Sequence, residues 1–408
     1  MFIFTGQKKN KNILRTTAYL IGLALIGLSL SCSPQTWDQR AIEGNFQKAR
    51  QQYRLMSAAL PAFDNYPRTL NDDGSLWLCG SDWWTSGFYP GSLWYLYAYF
   101  GDVSLMHEAH ARTMPLAKEA ENRSTHDLGF MLYNSFGNGY RLTKNPEYRT
   151  ILLKGAASLA SRYHPRVGCI QSWDASNRWD FPVIIDNMMN LEYLFWATRE
   201  TGDSSYYHMA VSHADRTLEN HFRPDYSSFH VVTYDTLSGD VLSRQTHQGY
   251  ADSSAWSRGQ AWGLYGFTMA YRETKYERYL QQAQQIADYL LDHPRFPEDG
   301  ILYWDLDAPD IPDAERDASA AAVMGAALVE LSRYSDGAGR DRYLKAAEKI
   351  VASLSKPPYH AGIGENGNFL LKHSVGAKPF GGEVDVPLVY ADYYYLEALA
   401  RLKEVYDQ

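Results

Sequence analysis

The chain has 408 residues, of which 45% are hydrophobic and 14% aromatic, and it carries a net charge of −8. This length and apolar content permit a large core, and a single barrel can use a chain of this size. The acidic balance argues against nucleic acid as a partner, and it means that an anionic ligand must be attracted by local cations. The three cysteines, Cys32, Cys79 and Cys169, exclude a disulfide framework and lack zinc-ligand spacing, although a Cys79–Cys169 pairing stays open.

Residues 1–32 have the pattern of an export signal. Basic residues precede an apolar run from Ala18 to Leu30, which is shorter than the roughly 20 residues that a transmembrane helix requires. The run leads into Leu-Ser-Leu-Ser-Cys32, which resembles a bacterial lipoprotein processing site except for Ser29, where leucine is usual. We therefore expect an exported, periplasmic protein that is attached to a membrane through a lipidated Cys32, with a linker over residues 33–39.

Apolar residues three and four positions apart predict about twelve helices after the linker. They cover roughly residues 40–60, 86–100, 103–121, 126–142, 146–163, 183–201, 203–221, 258–273, 276–292, 316–334, 340–355 and 386–405. Short turns followed by a tyrosine-led helix recur, as in TKNPEYRTILLKG and GAGRDRYLKAAEK, and such repeats form solenoids or closed rings. Six hairpins predict an all-α fold, an (α/α)6 barrel, in a single domain over residues 40–408. The one convincing strand pair is His230–Asp235 with Val241–Arg244.

The segment from His247 to Gly266 has the densest mixture of aromatic, amide and guanidinium side chains. It reads HQGYADSSAWSRGQAWGLYG and includes Gln248, Trp256 and Arg258. Small residues let another backbone segment or a ligand approach closely, and flat rings with amide and guanidinium donors suit a sugar that carries a carboxylate. The alternative is a loop at a helix start, with the tryptophans in the core and the arginine in solvent.

Two aspartates stand in apolar surroundings. Asp186 lies in FPVIIDNMMNLEYLFW, where burial would raise the pKa of its carboxyl group and so suit it to acid/base chemistry. Asp127 lies in THDLGFMLYNSF. Because both aspartates precede helical runs, helix capping is an equal alternative for each of them.

Four further residues are candidates for binding. Trp83 and Trp84 can form a stacking platform for a sugar or can belong to the core. His230 begins a strand, and a lone histidine is more often structural than catalytic. Lys378 lies in a glycine-rich loop, where it can meet an anionic substituent such as sulfate or simply face solvent. The sequence contains no phosphate-binding glycine loop, no Ser-His-Asp elbow and no cluster of metal ligands, so no cofactor or metal is expected.

Four motifs occur in a characteristic order: WWTSGFYPG, HDLGF, IIDNMMN and HQGYADSSAWSRGQAWGLYG. Together they resemble the unsaturated glucuronyl hydrolases of glycoside hydrolase family 88, and the resemblance extends over essentially the whole chain after the linker. It implies an (α/α)6 barrel enzyme that removes the 4,5-unsaturated uronic acid left by polysaccharide lyases at a non-reducing end. Such enzymes hydrate the C4=C5 double bond, and the resulting hemiketal collapses to release the sugar and an open-chain keto acid.

The resemblance also implies roles for individual residues. Asp186 is implied to be the general acid/base that protonates C4 and activates water for attack at C5, and Asp127 to be the second essential carboxylate. The residues implied to line the substrate site are His230, Gln248, Trp256 and Arg258, with Trp83 or Trp84 stacking on the sugar. The implied substrates are unsaturated glycosaminoglycan di- or oligosaccharides, and both a monomer and a homodimer stay open.

The sequence leaves two alternative functions open. An unsaturated rhamnogalacturonyl hydrolase of pectin breakdown has a similar barrel and chemistry, but the motif that begins at His247 favours the glucuronyl enzymes. A non-catalytic carbohydrate-capture lipoprotein would also be helical, aromatic-rich and exported. Such a binder would not need the two aspartates in apolar sequence.

Overall fold

The computed structural model describes residues 38–407, which contain twelve α-helices. These are α1 Gln39–Ala59, α2 Phe88–Phe100, α3 Val103–Thr113, α4 Asn138–Thr143, α5 Pro146–Ala160, α6 Leu191–Thr201, α7 Ser204–Asn220, α8 Ser257–Thr274, α9 Glu277–Asp292, α10 Ala318–Ser332, α11 Gly337–Leu354 and α12 Val389–Tyr406. The irregular helical segments are 3₁₀-helices at Met114–Glu121, Ile185–Asn190, Asn366–Asn368 and Lys378–Phe380, and a π-helix at Gly129–Gly137. Among the described residues, those from Gln39 onward form one compact unit.

The strands of the described residues are short and lie in the connections between helices. They are β1 Tyr66–Leu70, β2 Leu76–Cys79, β3 Tyr163–His164, β4 Cys169–Ile170, β5 Pro182–Ile184, β6 Val231–Tyr234, β7 Val241–Gln245, β8 Ser374–Ala377 and β9 Gly382–Val386. They pair antiparallel as β1–β2, β3–β4, β5–β6–β7 and β8–β9.

The even-numbered helices form an inner ring and the odd-numbered helices surround it. Going round the inner ring, α2 contacts the π-helix that precedes α4, and α6, α8, α10 and α12 follow. Helix α12 then contacts α2, so the ring is closed. Each outer helix packs on its inner neighbours, as α9 does on α8 and α11 on α10. This arrangement is the predicted (α/α)6 barrel.

Burial explains which helices are inner. Helix α10, ASAAAVMGAALVELS, is buried at every position, as expected for a helix that is apolar all round. Outer helix α9, ERYLQQAQQIADYLLD, buries only one face and keeps its charged side chains on the other. Alanine and glycine on the inner helices permit close packing at the centre of the barrel.

All six inner helices begin at the same end of the barrel, because the chain alternates between outer and inner helices. Contacts at three of these starts agree with this: the ring of Trp84, just before α2, lies 5.5 Å from that of Phe130 in the π-helix and 4.9 Å from that of Tyr390 at the start of α12. We call this end the N-terminal mouth. Helix N-termini carry partial positive charge, so the mouth favours an anionic ligand despite the net charge of the chain.

The opposite end of the barrel contains a polar cavity of about 740 Å³ that is crossed by ion pairs. Arg272 contacts Glu192 at 2.7 Å and Glu330 at 2.9 Å. Arg401 contacts Glu330 at 3.0 Å and Glu397 at 3.2 Å. Because these guanidinium groups are already paired with carboxylates, the network ties inner helices together at that end.

Several predicted elements differ in detail from the structure. The helix predicted over residues 183–201 begins with strand β5 and a 3₁₀-helix, because an apolar run such as Phe181–Ile185 fits a buried strand as well as a helix. The helix predicted over residues 103–121 continues as 3₁₀ from Met114, next to Pro115. The strand pair predicted at 230–235 and 241–244 is present, but β5 adds a third strand beside it.

Some predictions fall outside the described residues. The export signal over residues 1–32, the lipidated Cys32 and most of the linker are among them, and they stay predictions. In residues 38–407, no helix combines the length and apolar character that crossing a membrane requires. Cys79 and Cys169 are both free thiols, so the pairing that the sequence left open is not formed.

Candidate active site

Asp186 lies in the first turn of the 3₁₀-helix that follows β5, at the N-terminal mouth. Strand β5 pairs with β6, and the amide of Ile185 donates to the carbonyl of His230 at 3.1 Å. This register brings the Asp186 Oδ1 to 3.5 Å from the His230 Nε2, and neither atom has a hydrogen-bond partner among the described residues. The two predicted residues, 44 positions apart in sequence by their numbers, therefore face each other.

The Asp186 side chain is 12% exposed. Burial raises its pKa from about 3.8 to about 7, the negative charge of Asp127 adds to this rise, and the Arg258 guanidinium opposes it. A carboxyl group with this pKa is partly protonated near neutral pH, so it can both give and take a proton.

The hydrogen bonds of His230 define its tautomer. Its Nδ1 accepts from the amides of His247 at 3.2 Å and Gln248 at 3.0 Å, so the ring proton is on Nε2, which faces Asp186. Burial, followed by the charges of His247 and Arg258, lowers the pKa of His230 well below 6.5. His230 is therefore a neutral hydrogen-bond donor in the site.

Asp127 precedes the π-helix and is partly exposed. Its Oδ2 accepts from the Thr125 hydroxyl at 3.0 Å, and its Oδ1 lies 3.3 Å from the Nε2 of buried His126. The carbonyl of Asp127 accepts from the amide of Met131 at 2.9 Å. No side chain caps the start of this π-helix, so capping does not explain the Asp127 carboxylate. The Thr125 hydroxyl thus holds the carboxylate, and the His126 ring lies beside it.

Asn190 ties the two aspartate segments together. Its Oδ1 accepts from the amides of Gly129 at 2.8 Å and Phe130 at 3.3 Å. A Cβ at position 129 would lie 2.4 Å from this oxygen and 2.8 Å from the Asn190 Cα, so the close approach requires glycine. Since Asp127 precedes Gly129 by two residues and Asp186 precedes Asn190 by four, the contact sets the relative position of the two carboxyl groups.

Because glycine has no side chain, the glycines of the 247–266 segment let the 3₁₀-helix that carries Asp186 pack closely against α8. A Cβ at Gly266 would lie 2.4 Å from the Cβ of Met188, and a Cβ at Gly259 would lie 3.3 Å from Ile185. The sequence left open whether a ligand or another backbone segment approaches the glycines of RGQAWGLYG, and in the structure another segment of the chain does. These glycines position Asp186 from outside the site.

Arg258 is buried at the start of α8, where it holds protein groups. Its Nη1 lies 3.3 Å from the Asp317 carboxylate and also donates to the carbonyl of Val375, while its Nη2 donates to the carbonyl of Gly376 at 2.7 Å. The side chain is 1% exposed. Arg258 therefore anchors β8 to the mouth, and its charge acts on Asp186 through space.

Trp256 and Gln248 connect Arg258 with His230. The Trp256 ring lies 4.3 Å from the His230 ring and 4.5 Å from the Arg258 Cζ. Gln248 donates from its amide to His230 and from its Nε2 to the carbonyl of Gly376 at 3.1 Å. The structure thus brings together the predicted residues His230, Gln248, Trp256 and Arg258 around Asp186.

The two adjacent tryptophans have different positions. The Trp84 ring packs among Phe88, Phe130 and Tyr390, so it belongs to the aromatic floor of the mouth. Trp83 is 37% exposed at the rim, with the Arg68 guanidinium 4.2 Å from its ring. Of the pair, Trp83 is the more exposed, and Trp84 is half-buried.

Lys378 differs from the other predicted residues because it makes ion pairs outside the group around Asp186. Its Nζ pairs with the Glu315 carboxylate and lies 3.6 Å from that of Asp310. Two carboxylates therefore compete with any anionic substituent for this ammonium group. The sequence did not indicate either partner, since both lie more than sixty residues away.

Sequence reasoning missed an aromatic wall beside His230. The rings of Trp173 and Trp179 lie 5.0 Å apart, and both approach the His247 ring, at 5.1 Å and 5.3 Å. Phe380 lies 4.6 Å from His247 on its other side. Two tryptophans in a polar stretch, SWDASNRWD, were the available signal.

These features define a class of protein: an (α/α)6 barrel enzyme with a buried carboxyl group of raised pKa, a second carboxylate and an aromatic wall at one mouth. The chain belongs to glycoside hydrolase family 88, because the Glycosyl Hydrolase Family 88 model matches residues 68–406. The predicted family, barrel and enzyme class are confirmed.

Individual relatives agree with the family. The chain is 42% identical over 399 residues to an unsaturated glucuronyl hydrolase from Formosa agariphila, covering 95% of this chain and 98% of that protein. A solved unsaturated glucuronyl hydrolase described as specific for heparin is similar at a TM-score of 0.89, with 47% identity and coverage of 91% and 99%. A mutant unsaturated glucuronyl hydrolase from Streptococcus agalactiae, complexed with dGlcA-GalNAc6S, is similar at a TM-score of 0.78, with 30% identity and coverage of 91% and 93%.

Proposed function

We propose that this enzyme removes the 4,5-unsaturated uronic acid from lyase-generated glycosaminoglycan oligosaccharides by hydrating the C4=C5 double bond. The observation that carries the proposal is the buried Asp186 carboxyl group, with its pKa raised to about 7, facing the neutral His230 donor at 3.5 Å. Relatives that are named for unsaturated glucuronyl and unsaturated chondroitin disaccharide substrates support the substrate class. They favour it over the pectin-derived alternative.

In the proposed mechanism, protonated Asp186 gives its proton to C4 of the unsaturated sugar. Positive charge then develops at C5 and the ring oxygen. Water attacks C5, and the Asp186 carboxylate takes the proton that the water loses. The product is a hemiketal, whose collapse breaks the ring and releases the remaining sugar. One carboxyl group can do both steps because a pKa near 7 suits either protonation state. No covalent glycosyl-enzyme intermediate is required.

The other residues position the substrate and tune the acid. Asp127 adds negative charge that keeps the Asp186 proton in place, and the His230 Nε2–H donates toward the reacting sugar. The N-termini of the inner helices favour the uronate carboxylate at the mouth. Trp83 and the wall formed by Trp173 offer faces for stacking.

The proposal is tested by following the ultraviolet absorbance of the conjugated double bond in unsaturated chondroitin, heparin and pectin-derived disaccharides. We expect the absorbance to fall with glycosaminoglycan products, together with release of the free amino sugar. In D₂O, early product should carry deuterium at C4. Cleavage without loss of absorbance would reject hydration, and activity on pectin products alone would support the rhamnogalacturonyl alternative. Binding of all sugars without turnover would support a capture protein.

The raised pKa of Asp186 predicts a specific pH dependence. Above about pH 7, log(kcat/KM) should fall by about one for each pH unit, because the general acid loses its proton. The free energy of unfolding should depend on the same group, because the native state binds this proton more tightly than the unfolded chain does. The resulting stabilisation is fully present below about pH 4 and is lost as the pH rises from there through about 7. A pH–rate profile with parallel thermal melts measures both. An activity decline centred near pH 4 would contradict the assignment.

A further inference from the structure

The cations around the N-terminal mouth differ in whether they are already paired. Arg258 pairs with Asp317, and Lys378 pairs with Glu315. Arg68, beneath Trp83, donates to Glu383 at 2.6 Å. These three cations are therefore largely neutralised by the protein itself.

Arg178 differs from them. It is exposed in the connection between β4 and β5, and within residues 38–407 it forms no ion pair with a carboxylate. Its Cζ lies 4.4 Å from the centre of the Trp179 ring, and its Nη2 donates to the carbonyl of Thr246 at 3.2 Å. Stacking and one hydrogen bond hold the guanidinium in place, while its remaining N–H donors face solvent.

The position of Arg178 is set by the wall of the site. The indole N–H of Trp179 donates to the Gln245 side chain at 3.1 Å, which fixes the ring under the guanidinium. The Trp179 ring lies 5.3 Å from that of His247, which in turn lies 6.1 Å from that of His230. The Arg178 charge helps to lower the pKa of His247 to about 4, after burial, so the two groups are electrostatically close.

On the basis of the proposed function, we propose that Arg178 binds a sulfate ester of the substrate and thereby determines the preference for sulfated disaccharides. A guanidinium group binds the oxygens of an oxyanion through two parallel N–H donors, and one that lacks a carboxylate partner has no competing anion to displace. The stack on Trp179 orients the planar group in advance, so less side-chain entropy is lost on binding. Lys378, the cation that the sequence suggested for this role, is occupied by two carboxylates.

The test compares kcat/KM for pairs of unsaturated disaccharides that share a linkage and differ only in sulfation. We expect Arg178→Gln to lower the sulfated-to-unsulfated ratio by about tenfold or more for at least one sulfate position, as loss of a hydrogen-bonded charge implies. Arg178→Lys should retain part of the ratio, and added salt should lower it in the native enzyme but not in Arg178→Gln. The matched control is Arg340→Gln, which removes an exposed positive charge on outer helix α11.

The outcomes separate this inference from the proposed function. If the enzyme consumes no unsaturated disaccharide, the proposed function fails. If it turns them over but the ratio is unchanged in Arg178→Gln for every sulfate position, Arg178 is not the sulfate ligand. A fall of the ratio in Lys378→Gln instead would place the sulfate at Lys378 and also overturn the inference. An equal loss for sulfated and unsulfated substrates would assign Arg178 to the common uronate.

Discussion

Replacing Asp186 by asparagine should lower kcat by at least about three orders of magnitude while the fold and substrate binding are retained. Asparagine has nearly the same shape but cannot give a proton to C4 or take one from water. The variant should also be at least as stable as the native enzyme above pH 7, because it removes a buried group that becomes charged there. Single-turnover rates, binding titration and thermal melts measure these three properties. An unchanged rate would remove Asp186 from the mechanism.

Asp392 provides a matched control for this substitution. Burial also raises the pKa of its carboxyl group to about 7, but its oxygens accept from the amides of Leu370 at 2.9 Å and Leu371 at 3.0 Å. We expect Asp392→Asn to lower the free energy of unfolding by about 1–3 kcal/mol, because one buried amide loses its acceptor. Its kcat should stay close to that of the native enzyme. The pair of variants separates a buried carboxyl group used in chemistry from one used in structure.

Replacing Arg258 by methionine should lower the free energy of unfolding by about 3–5 kcal/mol. The Asp317 side chain is fully buried, and Arg258 is the cation that compensates its charge. The substitution also removes the donors that hold the carbonyls of Val375 and Gly376, so activity should fall as β8 loses its anchor. Denaturant unfolding measures the stability, and the absorbance assay measures the activity.

A second substitution distinguishes charge burial from lost packing. In the Arg258→Met background, Asp317→Asn should recover part of the stability, because asparagine removes the uncompensated charge and can still cap α10 by accepting from the Ser319 amide. The surface pair Arg278–Asp215 gives the comparison: Arg278→Met should cost less than about 1 kcal/mol. A double variant no more stable than Arg258→Met would show that the Asp317 charge does not explain the loss.

Much of the fold could be predicted because helical periodicity is a local property of the sequence. The twelve helices and their hairpin order follow from apolar spacing, and α10 and α9 show the inner and outer patterns directly. The errors occur where local signals are ambiguous. The apolar run before Asp186 became β5 because β6, from a distant part of the chain, supplied hydrogen-bond partners.

The sequence predicted most residues of the candidate site, but it did not predict which groups they contact. Apolar flanks indicated that Asp186 is buried, and the motifs indicated His230, Gln248, Trp256 and Arg258. The wall of Trp173 and Trp179 was missed because an irregular polar connection has no periodicity to interpret. The sequence left Lys378 open between anion binding and a solvent-facing role, and it could not indicate the ion pair with Glu315 because that partner is remote in sequence.

The sequence by itself determined the barrel, the family and the burial of the acid, since each depends on neighbouring residues or on contiguous motifs. Only the tertiary structure decided that His230 faces Asp186 and that Arg258 is an internal anchor. It also decided that Lys378 is paired with a carboxylate, whereas Arg178 forms no ion pair with the described residues. The physical reason is that the state of a charge depends on every group within a few ångströms. At the N-terminal mouth, those groups come from helix starts spread over the whole chain.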